Sequence, residues 1–182
     1  EEGLLTREQA TGILIILFGA AGESTASLLG SAIRLLAEDT ALQDSLRAQP
    51  SLIANFIEEV VRLETPFKFH YRFVNRDTQL CGASLKAGDV LLLGWASANR
   101  DASVWPDADT LRLDRPQPER HLGFGYGIHF CIGAPLARLE VRVALEALLA
   151  GTRRIELDAA RPSAFAPSVF VRRLQHLHLR VT

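Results

Sequence analysis

Cys131 stands in the run FGYGIHFCIG, Phe124 to Gly133, directly ahead of the apolar helical pattern LARLEVRVALEALLA. A cysteine at a helix N-terminus lies at the positive end of the macrodipole, beside unpaired backbone N–H groups, and both favour its thiolate. Thiolates bind soft metals. Gly125, Gly127 and Gly133 remove side chains around the sulfur, so the backbone can turn tightly and a flat group can lie against it. The other cysteine, Cys81, falls in the distant turn-like LCGAS. No set of closely spaced thiolates or Cys/His ligands exists of the kind that zinc or an iron–sulfur cluster takes, and haem iron held by one thiolate is the better fit. The bland alternative is a buried structural thiol.

A second group of residues, Ala20-Ala21-Gly22-Glu23-Ser24-Thr25, puts an acid and two hydroxyls into an apolar helical stretch, where they are costly unless partnered. A Ser or Thr there can bond the carbonyl four residues back, loosen the ladder and leave room for water. The small residues let a ligand approach the backbone. A kinked core helix with satisfied hydroxyls would show the same pattern. Third, Glu59 and Arg62 stand at i, i+3 spacing, which lays a carboxylate and a guanidinium on one helix face. Taken alone, such a pair is an ordinary surface ion pair.

These residues need elements to hold them. Thr6 to Gln9 has the spacing of a capping box and opens a long, mostly buried helix over 6–37. Asp39 caps a second helix and Ser51 a third, so that two helices fill 39–64 and end before Pro66. Aromatic and β-branched runs at Phe67–Val74 and Val90–Trp95, separated by turn residues, predict a small sheet over 67–95. A meander and the cysteine loop occupy 99–131, a helix 132–150, and terminal strands 153–182. The fold class is mainly α with small β sheets (α+β), in a single domain over 1–182. With 182 residues, 48% of them hydrophobic, and a net charge of −1, the chain can bury a sizeable core. Its 20 basic and 21 acidic residues are interspersed, which gives no footprint for nucleic acid or an anionic membrane. The longest apolar run, Ile13 to Gly22, is too short to span a bilayer. Two cysteines in unrelated positions predict a reducing cytoplasm.

The cysteine run resembles the haem loop of cytochromes P450, FGxGxHxCxG, at every fixed position. Ala20 to Thr25 is similar to the oxygen-activation motif of that family, with Ala21 at the family glycine, Gly22 one place later, and Ser24 in place of the usual threonine. The resemblance covers nearly the whole chain but starts at the family's central helix, and the chain has no methionine. It is therefore expected to be the C-terminal portion of the fold, of bacterial soluble type. The resemblance implies haem b with Cys131 as axial ligand, and Glu23, Ser24 and Thr25 as a proton relay to dioxygen. Arg72 and His129, with His70 assisting, would bind the haem propionates. Phe124, Gly125, Gly133 and Ala20 would border the cofactor. Glu59 and Arg62 become structural residues beneath the cysteine loop, joined by a meander arginine. The usual position for that arginine holds Thr110, which leaves Arg100, Arg112 or Arg115.

The implied activity is haem-thiolate monooxygenation of a hydrophobic small molecule with electrons from a ferredoxin, without a membrane or nucleic-acid partner. Phe67, Phe69, Ala20, Phe170 and Val171 are candidates for an apolar substrate wall, and Arg138 with Arg142 for the face that meets an acidic electron donor. The alternatives are a truncated haem-binding fragment without turnover, a peroxide-driven enzyme, and a structural remnant without haem.

Overall fold

The computed structural model describes residues 4–182. Helix α1, Arg7–Glu38, opens with the expected capping box: Thr6 accepts from the Gln9 amide while the Gln9 side chain accepts from the Thr6 amide. The helix is not mostly buried as the sequence suggested. Only Ser27, Leu28, Ser31, Ala32 and Leu36 are buried, all in its second half. The apolar first half points into open space, because no other described element packs around it. At 32 residues the helix is also long and apolar enough to cross a bilayer by length and composition, which corrects the reading of the shorter run.

Asp39 caps α2, Thr40–Ala48, by accepting from the Leu42 amide. Ser51 does not cap the next helix. Pro50 starts a 3-10 turn over Pro50–Leu52 that runs straight into α3, Ile53–Leu63, whose N-cap is Leu52. Helix α3 is buried on nearly every side. Phe56, Ile57, Val60 and Val61 join Leu28, Leu36 and Leu46 of the first two helices in the core.

Strand β1, His70–Phe73, pairs antiparallel with β4, Val90–Leu93, in the register His70↔Leu93 and Arg72↔Leu91. Alternation along β1 puts His70 and Arg72 on one face. Both strands are shorter than expected, since Trp95 already begins a short helix, α4, Trp95–Ala98. Between them lies the hairpin of β2, Thr78–Leu80, and β3, Ala83–Leu85. Cys81 and Gly82 form its turn with φ of 49° and 82°.

The meander from Asn99 onward has little regular structure but buries Trp105, Ala108, Arg115 and His121. Helix α5, Ala134–Gly151, follows the cysteine loop and adds Val141, Leu145 and Leu149 to the core. Strand β5, Ile155–Leu157, pairs with β8, Leu179–Val181, and β6, Ala164–Phe165, with β7, Leu174–His176. An isolated bridge joins Phe67 to Val171, which pins the terminal segment against the chain leading into β1. The expected α+β class holds.

Candidate functional site

A cleft of about 450 Å³ opens between α1 and the cysteine loop. Cys131 and Gly133 line one side, Ala20, Ser24 and Thr25 the opposite side, and His70, Arg72 and His129 its margin. The cysteine loop turns tightly at two points. Gly125 and Gly127 take φ of 73° and 70°, which a side chain would strain. The Cys131 amide donates to the Phe124 carbonyl at 2.9 Å, and the Ala134 amide to the Cys131 carbonyl at 3.2 Å. The sulfur therefore sits one turn before the first residue of α5, at the amide end of that helix. A Cβ on Gly133 would lie 3.8 Å from that sulfur.

On the α1 side, the Ser24 hydroxyl donates to the Ala20 carbonyl at 2.7 Å. This is the expected bond to the carbonyl four residues back, yet the helix continues unbroken through it. The Thr25 hydroxyl has no protein partner among the described residues and faces the cleft. Glu23 does not line the cleft. Its carboxylate meets Arg173 of the terminal segment at 3.0 Å, and both side chains are about half exposed.

At the margin, the Trp95 indole N–H donates to His70 Nδ1 at 2.7 Å, which leaves the ring proton on Nε2. Burial lowers the His70 pKa and the Arg72 charge lowers it further, so the ring is neutral at pH 7. Of the predicted apolar wall, Phe67 and Ala20 line the cleft. Phe69, Phe170 and Val171 do not; Phe69 and Phe170 instead stack with each other, 5.4 Å between ring centres. Leu17, Trp95 and Leu136 also line the cleft. The sequence did not single them out because nothing separates them from other core-type residues.

Beneath the loop, Glu59 and Arg62 are fully buried and paired through both carboxylate oxygens, at 2.6 and 2.9 Å. Arg115 is the meander partner, with Nε 2.9 Å from Glu59. Arg112 contributes only its backbone amide to Glu59, and Arg100 turns to the Leu63 carbonyl and Asp109. Burial alone would raise the Glu59 pKa, but hydrogen bonds from Arg62, Arg115 and the Arg112 amide outweigh it and hold the pKa below the usual value. Arg62 also donates to the carbonyls of Asn99 and Thr110, which ties the meander to α3.

Arg138 is not a free docking cation. Its guanidinium grips Glu58 at 2.6 and 2.8 Å and lies over the Phe124 ring, 4.6 Å from its centre. Arg142 lies 3.9 Å from Glu146 on the exposed face of the same helix.

A cysteine in a glycine cradle, facing small residues and hydroxyls across a mostly apolar cleft with cationic margins, defines a single-thiolate cofactor site in an α+β fold. The sequence profile of Cytochrome P450 matches residues 1–153, and the chain belongs to the cytochrome P450 family. It is 46% identical over 179 residues to Cytochrome P450 144 of Mycobacterium tuberculosis, covering 98% of this chain and 41% of that protein. Against Cytochrome P450 109 of Bacillus spizizenii the identity is 41% over 98% of this chain and 44% of the relative. The testosterone complex of CYP109E1 from Bacillus megaterium superposes with a TM-score of 0.93 at 37% identity, covering 99% of this chain and 50% of that one. The chain thus spans less than half the length of the two curated relatives. Membership implies a haem cofactor.

Proposed function

We propose that this chain supplies the thiolate side and the proton-relay side of a monooxygenase that inserts one oxygen atom of dioxygen into a hydrophobic small molecule. The observation that carries it is Cys131 at the N-terminus of α5, directly across the cleft from Ser24 and Thr25. The donor set fits haem b. One soft thiolate faces an apolar cleft, small residues at Ala20, Gly125 and Gly133 leave space, and Arg72, His129 and the Nε2 proton of His70 can meet two carboxylates. A thiolate-ligated haem supplies the dioxygen chemistry.

The protein residues divide the remaining work. Arg72, His70 and His129 bind and orient the propionates. Ser24 has committed its proton to Ala20 and can still accept, while the Thr25 hydroxyl can both donate and accept within the cleft. Glu23, half exposed beside Arg173, takes protons up from solvent at the outer end of this relay. Glu59 and Arg62 hold the floor and do no chemistry. The testosterone complex of the Bacillus megaterium relative supports a hydrophobic substrate, and the ferredoxin-type electron donor and cytoplasmic setting are carried over from the family resemblance. A second reading, haem binding without turnover, is favoured by the exposure of Ile15, Ile16 and Phe18, apolar side chains of α1 that no other described element covers.

Haem reconstitution followed by reduction under carbon monoxide tests the assignment. A strongly red-shifted, thiolate-type Soret band is expected, and Cys131→Ala should abolish it. A band that survives the substitution rejects Cys131 as ligand. Addition of NADH, a ferredoxin pair and a steroid or fatty substrate separates turnover from binding alone.

A further inference from the structure

Glu58 sits beside Glu59 on α3, yet it serves a different set of partners. It is 9% exposed and accepts both guanidinium bonds from Arg138, which stands two turns along α5 from Cys131. Its third partner is His121 of the meander, whose side chain is fully buried. The Gly123 amide donates to His121 Nδ1 at 3.1 Å, so the ring proton lies on Nε2 and is given to Glu58 Oε2 at 3.0 Å.

These groups converge on Phe124. Arg138 covers its face, His121 stands 5.5 Å from it, and its carbonyl receives the Cys131 amide. The Arg138 charge lies close enough to Cys131 for a thiolate there to raise the Arg138 pKa, after the larger effect of Glu58.

We propose that Glu58, His121 and Arg138 form a second ionic lock that positions Phe124 and Cys131 and sets the charge felt at the sulfur. They are positioning residues for the redox poise of the site, and the inference rests on the reading of Cys131 as haem ligand. Arg138 withdraws electron density from the thiolate through space, and Glu58 moderates that effect by neutralising the guanidinium. A more electron-rich thiolate favours ferric over ferrous iron.

The test is the ferric–ferrous reduction potential of the haem-reconstituted protein. Arg138→Leu should move the equilibrium toward ferric on the order of tenfold, and Arg138→Lys, which keeps the charge, by less than about threefold. Glu58→Gln keeps the shape and frees the guanidinium charge, so it should move the equilibrium the other way, roughly threefold toward ferrous. A lock that merely stiffened the fold would shift both in one direction. Parallel shifts, or an unchanged potential in Arg138→Leu, overturn the proposal. Should Arg138→Leu lose haem, Glu58→Gln decides alone, and a shift toward ferric or no shift rejects the lock. Unsubstituted protein without a thiolate-type band removes the haem reading and the lock together; a normal band with parallel shifts removes the lock only.

Discussion

The underside of the cysteine loop and the first half of α1 are made on opposite terms. Beneath the loop, Glu59, Arg62, Arg115, Glu58 and His121 are buried and answer one another within the chain. Along the first half of α1, Ile15, Ile16 and Phe18 are 67, 71 and 85% exposed, and Glu23 just beyond it meets a partner with both side chains about half exposed. The thiolate side therefore has its structural support built in. The α1 side presents Ser24 and Thr25 on a helix whose apolar faces no other described element covers. Loss of a buried charge should be costly in the first region and nearly free in the second.

Two substitutions of the same chemistry test this directly. Glu59→Gln leaves Arg62 and Arg115 buried without a counter-charge and should lower the unfolding free energy by about 3–5 kcal/mol. Glu23→Gln removes an exposed pair and should cost less than about 1 kcal/mol. Urea denaturation of both proteins measures the difference, and equal costs would break the comparison.

Glycine gives a second pair of opposite sign. A Cβ at Gly123 would overlap the Val61 side chain and come within 3.2 Å of the Val61 carbonyl, so Gly123→Ala should cost about 1–3 kcal/mol. At Gly22 a Cβ meets nothing within 4 Å, and Ala is the better helix former, so Gly22→Ala should add about 0.5–1 kcal/mol.

Acid should also find the loop first. Burial would raise the Glu58 pKa, but Arg138 and His121 hold it down at about 2 from a usual 4.5. A depressed carboxylate stabilises the fold above its unfolded pKa and stops doing so as pH falls through the folded one. Thermal unfolding should therefore show a loss of stability from about pH 4.5 downward toward 2 that Glu58→Gln reduces.

How much of this was legible depends on whether a feature is local. The capping box at Thr6, the Asp39 cap and the Cys131 loop are patterns within a few residues, and the chain folds as they read. Ser51 had the right chemistry for a cap, but Pro50 took precedence by starting a 3-10 turn one residue earlier. The burial of α1 was misjudged because an all-round apolar helix looks the same whether or not neighbours surround it. Arg115 could be narrowed only to one of three arginines, since the choice turns on how an irregular meander folds back. His121 and Arg138 lie 63 and 80 residues from Glu58, and no short pattern marks the three. The only local sign is that Glu58 stands directly before Glu59.

The smallest expected effect probes the exposed first half of α1. Replacing Ile16 by Ser removes an apolar side chain that is already 71% exposed, so it should change unfolding free energy by no more than about 0.5 kcal/mol. Its consequence should appear in association instead, because exposed contiguous apolar surface drives self-contact. Light scattering and binding of a hydrophobic dye should both fall in Ile16→Ser and further in Ile16→Ser with Phe18→Ser. Ile57→Ser, 1% exposed on α3, supplies the contrast, since it should cost several times more stability and increase dye binding by loosening the core. Should Ile16→Ser be as costly as Ile57→Ser, the first half of α1 is covered in solution, and the division between a self-supported cysteine loop and an open α1 no longer holds.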